Sequence, residues 1–164
     1  MTVVNAILAC DIKYGIGKEN GLPWPKSSED MKWFKDNTDG HVVVMGRRTW
    51  DSIGNKKLPN RINVVVTNHS HELQGEPDAL YCGTMGEIIH SLKKQYPLLK
   101  IWIIGGADIY RQSFYYCDNL YLTKFKQEYD CDAFVNSDNF KSFDKLVYST
   151  KNEDMSFSIW SKTH

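Results

Sequence analysis

Cysteine is scarce and scattered in this chain of 164 residues. Its cysteines form no C-x-x-C pair and lack the density of a disulfide-rich secreted scaffold. We therefore predict four free thiols, at Cys10, Cys82, Cys117 and Cys131. The one spacing that resembles a metal site, His69-x-His71, stands in a polar stretch without a second ligand pair. We interpret it as a solvated loop and expect no metal site.

Long hydrophobic runs are missing as well. The longest apolar stretches, such as residues 42–45 and 101–104, fall far short of the roughly 18 residues that a membrane-spanning helix needs. No basic segment precedes the first apolar run, and Asp11 follows that run directly. We therefore expect no signal peptide, no membrane association and a cytoplasmic location.

No charge of one sign prevails, since 20 Lys and Arg residues stand against 20 Asp and Glu residues. This balance excludes the broad basic surface of a general nucleic-acid binder, so we expect no nucleic-acid partner. No repeat and no Pro-, Gly- or Ser-rich linker divides the chain. We predict a single domain over residues 1–164, for which a monomer is sufficient.

Short apolar runs rich in β-branched residues alternate with helical patterns. Strands are predicted over residues 3–10, 41–45, 62–67, 100–104 and 119–126. Helices are predicted over residues 28–38, 47–53 and 107–115 and after the capping box Thr84-x-x-Glu87. Beyond Leu120 the pattern is strand, polar loop and a last apolar run at 157–160. We predict an α/β fold with a mixed, mostly parallel central sheet, helices on both faces and antiparallel C-terminal edge strands.

Two glycines, Gly105 and Gly106, separate the predicted strand at 100–104 from the helix that follows it. Because glycine has no Cβ atom, a ligand can approach the backbone closely there, and free N–H groups at a helix start attract phosphate. A nucleotide pyrophosphate would suit this turn. A tight strand-to-helix turn that needs glycine for its own dihedral angles is the alternative, and the segment alone leaves both open.

Asp30 is the most informative residue near the first helix. It can help to cap that helix as part of Ser27-x-x-Asp30, which needs no further function. Alternatively, it shares a helical face with Phe34, where an apolar environment would disfavour its charge and let it bind a cationic or amidine-like ring. The long segment before it, with Leu22-Pro-Trp24, is typical of an ordered lid loop.

A basic cluster follows the predicted strand at 41–45. Arg47, Arg48 and Thr49 could hold a phosphate group together, although a solvated basic pair is an equal alternative. Arg61, after Leu58-Pro-Asn, is suited to a carboxylate through its bidentate fork.

Six segments taken together closely resemble dihydrofolate reductases in order and spacing. They are Gly21-Leu-Pro-Trp24, Asp30 with Phe34, Met45-Gly-Arg-Arg-Thr-Trp50, Leu58-Pro-Asn-Arg61, Ile104-Gly-Gly106 with Tyr110, and Leu120-Tyr-Leu-Thr123. The resemblance implies that NADPH donates a hydride to C6 of 7,8-dihydrofolate and that N5 is protonated, which yields tetrahydrofolate for one-carbon metabolism. It also implies that Asp30 binds the pterin and promotes protonation, and that Trp24 and Leu22 close the lid.

The same resemblance assigns the remaining site residues. The implied substrate-binding residues are Ile7, Asp30, Phe34, Ile53, Leu58, Arg61, Ile104 and Thr123. The implied NADPH-binding residues are Ala9, Ile16, Gly46, Arg47, Arg48, Thr49, Thr67, Asn68, Gly105, Gly106, Ala107, Asp108, Ile109 and Tyr110. Arg61 would pair with the glutamate α-carboxylate, and Arg47 would favour the 2′-phosphate that distinguishes NADPH from NADH.

The sequence departs from the commonest pattern of these reductases in several places, and two of them bear on cofactor affinity. Asp108 stands where some relatives have a basic residue, and Asn68 replaces a frequent serine. Both bear on the preference for NADPH rather than on reduction itself. A reductase of riboflavin biosynthesis is an alternative that leaves Pro23-Trp24 and Asp30 unexplained. The other alternative is a folate- or nucleotide-binding component that has no catalytic activity.

Overall fold

The computed structural model describes residues 2–19 and 21–163. The strands are β1 (Val4–Cys10), β2 (Gly15–Gly17), β3 (Val42–Gly46), β4 (Ile62–Val66), β5 (Ala79–Tyr81), β6 (Ile101–Ile103), β7 (Asn119–Phe125), β8 (Ala133–Phe134), β9 (Lys145–Lys151) and β10 (Met155–Ser161). The α-helices are α1 (Ser28–Thr38), α2 (Arg47–Ser52), α3 (Met85–Gln95) and α4 (Ala107–Ser113).

Eight strands form one sheet in the order β5-β4-β3-β6-β1-β7-β10-β9. The six strands from β5 to β7 are parallel, whereas β10 pairs antiparallel with both β7 and β9. The predicted mixed, mostly parallel sheet with antiparallel C-terminal strands is therefore confirmed.

Side chains alternate between the two faces of this sheet, because successive residues of a strand point to opposite sides. In β3, Val42 and Val44 pack with α3 and α4, whereas Val43 and Met45 pack on the face of Trp50 and Phe34, which belong to α2 and α1. All of β3 is buried, and such two-sided burial explains its uninterrupted apolar sequence.

Four strands of the structure were not predicted from the sequence. β5 has only three residues, and β2 and β8 form a separate two-stranded sheet of three and two residues. β9 is long, but all seven of its residues are exposed, so it carries no apolar alternation that would indicate a strand. Its pairing with β10 is a tertiary contact rather than a local preference.

Helix ends follow the predicted caps. The Ser27 hydroxyl accepts a hydrogen bond from the Asp30 backbone N–H (3.2 Å), and the Thr84 hydroxyl accepts one from the Glu87 N–H (3.4 Å). The helix predicted to end at residue 115 ends at Ser113 and continues as a 3₁₀ turn over Phe114–Tyr116. Among the described residues, no helix is long and apolar enough to cross a membrane.

Candidate active site

The carboxyl ends of the parallel strands lie at one edge of the sheet, which is where ligands bind in open α/β sheets. At this edge Ala9 of β1 is paired in register with Thr123 of β7. Gly46 ends β3 nearby, and its backbone N–H donates a hydrogen bond to the Gly105 carbonyl after β6 (2.9 Å). The fold thus brings together predicted residues from distant parts of the chain.

Asp30 lies in the first turn of α1 and faces this edge. Its carboxyl group accepts a hydrogen bond from the Thr123 hydroxyl. Burial raises the pKa of the Asp30 carboxyl, and the bond from Thr123 offsets this only in part. The cap of α1 is made by Ser27 instead, so the Asp30 side chain remains available for another role.

An apolar wall lies on the face of the sheet against which α1, the helix of Asp30, packs. Five predicted substrate-binding residues belong to the same cluster on the α1 and α2 face of the sheet: Ile7, Phe34, Ile53, Leu58 and Ile104. They come from two strand segments, two helix regions and a loop. Apolar side chains of this kind suit contact with a flat aromatic ring, and a carboxyl group can orient such a ring by hydrogen bonds.

Arg61 lies at the rim of the apolar wall. Its Nε donates to the Pro59 carbonyl (2.9 Å), its Nη1 donates to the Thr38 hydroxyl (3.1 Å), and its guanidinium lies 5.9 Å from the Phe34 ring centre. Burial lowers the pKa of Arg61. In the described part of the chain no carboxylate forms an ion pair with Arg61, so its charge is available to a carboxylate ligand.

Asn63 positions this rim, and the sequence analysis missed it. It is fully buried in β4. Its Oδ1 accepts from the Leu58 N–H (2.9 Å), while its Nδ2 donates to the Leu58 and Arg61 carbonyls (3.0 and 3.1 Å). A single polar residue within the apolar strand INVVV was the available signal, because a buried amide needs partners.

The glycine segment after β6 is tightly packed on one side. Gly105 has φ +113°, and a Cβ atom there would lie 3.0 Å from the Tyr110 ring. At Gly46 a Cβ atom would lie 2.9 Å from Cγ1 of Ile109. Side chains are excluded at both positions, so the two backbone segments can lie side by side.

Gly106 has an open side. The nearest atom to a Cβ added there is Oγ1 of Thr49, at 3.8 Å. A pyrophosphate could therefore approach this backbone without meeting a side chain, which suits the predicted dinucleotide. Arg47 is at the start of α2, on the neighbouring strand end.

The other predicted cofactor residues differ in exposure. Arg48, Asn68 and Asp108 are exposed, Asp108 being paired with Arg111. Thr67 is buried and accepts a hydrogen bond from the His69 N–H (3.1 Å). Six further predicted cofactor residues are half-buried or buried: Ala9, Ile16, Thr49, Ala107, Ile109 and Tyr110. The Tyr110 hydroxyl already donates to the Ile7 carbonyl (2.6 Å).

The predicted lid is the segment between β1 and α1, residues 11–27. Trp24 is buried and stacks on Phe125 (4.6 Å between ring centres). Leu22, by contrast, is 62% exposed. Asp132, which the sequence analysis missed, holds the lid from the opposite segment: its N–H donates to the Gly17 carbonyl (2.9 Å) and its carboxylate accepts from the Glu19 N–H (3.0 Å).

A third residue that was not predicted, Asp11, anchors the beginning of the lid. It is fully buried. Its Oδ1 accepts from the Lys13 and Gly15 N–H groups, and its Oδ2 accepts from the Tyr129 N–H, each at 2.9 Å. Burial raises the pKa of the Asp11 carboxyl, but these hydrogen bonds outweigh it, and the pKa lies below its ordinary value.

A carboxyl group with a raised pKa thus lies on the helix that packs against the apolar wall, and the backbone at Gly106 leaves room for a dinucleotide. These features suit an enzyme in which the protein binds and orients a nucleotide cofactor beside its substrate. A family model described as dihydrofolate reductase matches residues 3–162. The chain therefore belongs to the dihydrofolate reductase family.

Individual relatives agree with this family. A dihydrofolate reductase of Bacillus subtilis is 37% identical over 175 residues, which covers 98% of this chain and 95% of that protein. One of Staphylococcus haemolyticus is 32% identical, with 97% and 95% covered. The structure of the Enterococcus faecalis dihydrofolate reductase complexed with NADP(H) and RAB-propyl is similar with a TM-score of 0.86 and 26% identity, and covers 99% of this chain and 97% of that one.

These matches confirm the fold, the enzyme class and the cofactor that the sequence analysis predicted: the chain is an oxidoreductase that reduces dihydrofolate with NADPH. The roles of individual residues stay predictions.

Proposed function

We propose that Asp30 is the group that binds the pterin ring of 7,8-dihydrofolate and supports protonation of N5. The observation that carries this proposal is the half-buried carboxyl group, hydrogen-bonded to Thr123, on the helix that packs against the apolar wall. Burial raises the pKa of this carboxyl group, so it holds its proton to a higher pH than an exposed aspartic acid does, which favours proton delivery. Bound NADPH supplies the hydride for C6.

The apolar wall orients the ring and excludes water from it. Ile7 and Phe34 contact the pterin, Ile53 and Leu58 contact the aminobenzoate, and Ile104 lies towards the nicotinamide. Trp24 and Leu22 cover the site from the lid. What supports this arrangement is the common cluster of the five wall residues and the packing of Trp24 on Phe125.

The dinucleotide is held along the edge formed by β3, β6 and the turns that follow them. Gly105 and Gly106 admit the pyrophosphate, the segment Gly46–Thr49 binds phosphate, and Arg47 contacts the 2′-phosphate. The other predicted contacts complete this subsite. The open side of Gly106 and the proximity of Gly46 to Gly105 support it.

The chain works as a cytosolic monomer without a nucleic-acid partner in this proposal. All site residues named above come from one chain. The four cysteines are free thiols, at Cys10, Cys82, Cys117 and Cys131, as is usual in a reducing compartment. The balanced charge supports the absence of a nucleic-acid partner.

The first test is the loss of NADPH absorbance when purified protein receives dihydrofolate. We expect one NADPH to be consumed for each tetrahydrofolate formed. If both ligands bound without oxidation of NADPH, the chain would be a binding component, and the catalytic assignment of Asp30 would be refuted.

Replacing Arg61 by Leu should raise KM for dihydrofolate by about 10- to 100-fold with a small change in kcat, because a charge-assisted hydrogen bond to the substrate carboxylate is lost. Steady-state kinetics measure this. A pterin substrate without the glutamate moiety should not distinguish the variant from the native protein. Lys56→Leu, which removes an exposed cation from the same loop, is the control. An equal loss on both substrates would contradict the pairing.

Arg47→Ala should weaken NADPH binding by about tenfold and NADH binding by less than twofold, since only NADPH carries the 2′-phosphate. Titration of each dinucleotide into the protein measures the two dissociation constants. Arg48→Ala, at the exposed neighbouring position, shows whether the loss of either arginine weakens NADPH binding to the same extent. Parallel weakening of both dinucleotides would mean that Arg47 does not contact that phosphate.

A further inference from the structure

Arg47 is not a free cation in this structure. Its Nη1 donates to Oε2 of Glu72 (2.8 Å), and its Nε lies 3.7 Å from Oδ2 of Asp51. These two carboxylates and Arg47 line an open cleft of about 360 Å³ together with Asn55 and Gln74. A phosphate that reaches Arg47 through this cleft therefore meets negative charge beside the guanidinium.

Glu72 is held near Arg47 by the backbone that follows it. The buried Trp50 indole, on α2, donates to the Gln74 carbonyl (2.7 Å). Gly75 has φ +81°, and a Cβ atom there would lie 2.3 Å from the Asn55 carbonyl oxygen, so this backbone packs directly against the end of α2. The position of Glu72 beside Arg47 thus follows from a fixed loop, 25 residues away along the chain.

Asp51 and Glu72 contact different nitrogen atoms of the Arg47 guanidinium. Asp51 contacts only Nε and is already bound by the Asn55 side-chain amide (2.6 Å). Glu72 occupies Nη1, at the outer end of the guanidinium where a phosphate would form its hydrogen bonds. Glu72 also has His71 near its other oxygen (3.7 Å), and its side chain is 54% exposed, so it can move away at a small cost.

We propose that Glu72 is a specificity-determining residue, which competes with the 2′-phosphate of NADPH for Arg47 and so reduces the preference for NADPH over NADH. This inference rests on the proposed contact between Arg47 and that phosphate. Binding of NADPH displaces Glu72 from Nη1 or places two anions on one guanidinium, whereas NADH leaves the pair intact. The ion pair therefore opposes one dinucleotide only.

The test is the binding of NADPH and of NADH to the native chain and to Glu72→Gln. Titrations at pH 8 are suitable, because histidine side chains are ordinarily neutral there. Because an exposed ion pair has a small effect, we expect the Kd for NADPH to fall about three- to fivefold and that for NADH to change less than twofold. The difference should shrink at about 1 M salt, where exposed charges are screened. Unchanged NADPH affinity, or equal tightening of both dinucleotides, would overturn the proposal.

Two further variants separate the causes. Glu76→Gln removes an exposed charge from the same loop and should leave both dissociation constants unchanged. In an Arg47→Ala background, Glu72→Gln should lose its effect on NADPH, because the two residues act as a pair. If the effect persisted there, Glu72 would not act through Arg47. These are binding measurements, so they stand apart from turnover with dihydrofolate, which tests the proposed function.

Discussion

Asp30→Asn is expected to slow hydride transfer by about 10²- to 10⁴-fold, the range that a positioned acid or base contributes. The amide keeps the size of the side chain but cannot support protonation of N5. NADPH binding should change less than twofold, because the proposed cofactor subsite lies on other residues. Single-turnover oxidation of NADPH, compared with titration of NADPH alone, measures the two effects separately.

The pKa of Asp30 also predicts the direction in which the reaction rate changes with pH. Burial raises the pKa of the Asp30 carboxyl, so a reaction that needs its proton should slow as pH rises through that pKa. The Asn variant should show no such decline. The neutral Asp30 carboxyl stabilises the folded chain fully below the unfolded pKa of about 3.9. This stabilisation is lost as pH rises through the raised pKa of the folded chain. At neutral pH Asp30→Asn should therefore be no less stable than the native chain.

Asp36→Asn is the matched control. Asp36 lies on the same helix, is exposed and pairs with Lys32, so its loss should affect neither hydride transfer nor the pH profile. Equal losses of hydride transfer and NADPH affinity in Asp30→Asn would contradict the assignment. So would an unchanged pH profile.

Asp11→Asn is expected to cost about 2–4 kcal/mol of the free energy of unfolding. Asp11 is fully buried and accepts from backbone donors on both of its oxygens. An amide must turn its NH₂ group towards one side, which leaves the Tyr129 N–H, or the Lys13 and Gly15 N–H groups, without an acceptor. Urea unfolding, with a check that the slope m is unchanged, measures the loss.

Measurements of stability at acid pH test the role of the Asp11 carboxylate independently. The pKa of Asp11 is lower in the folded chain, so its contribution to stability is complete above the unfolded pKa and is lost as pH falls through the folded pKa. The difference between the native chain and Asp11→Asn should therefore shrink below about pH 4.

Asp130→Asn serves as the control for Asp11. Asp130 is an exposed residue paired with Lys18 (3.3 Å), and its replacement should cost less than about 0.5 kcal/mol. If Asp11→Asn were as mild as Asp130→Asn, the buried carboxylate would not be the anchor of the lid.

Much of the fold was readable from local pattern. The strands of the sheet centre are buried on one or both faces, so their apolar runs indicated them, and Ser27 and Thr84 marked two helix starts. β9 could not be found in this way, because its seven residues are all exposed and only pairing with β10 makes them a strand. Short segments such as β5 and β8 contain too few residues for any periodicity.

For the candidate site too, some features were indicated by the sequence and others arise only in the folded chain. By itself the sequence determined the order of its motifs, the glycines at 105 and 106, the arginines at 47 and 61 and the acid at 30, and hence the resemblance to a family. The tertiary structure alone decided that Glu72 pairs with Arg47 and that Asp11 binds the backbone of Tyr129, which is 118 residues away. The reason is physical: local preferences act within a few residues, whereas burial and hydrogen bonding join groups that only the folded chain places in contact.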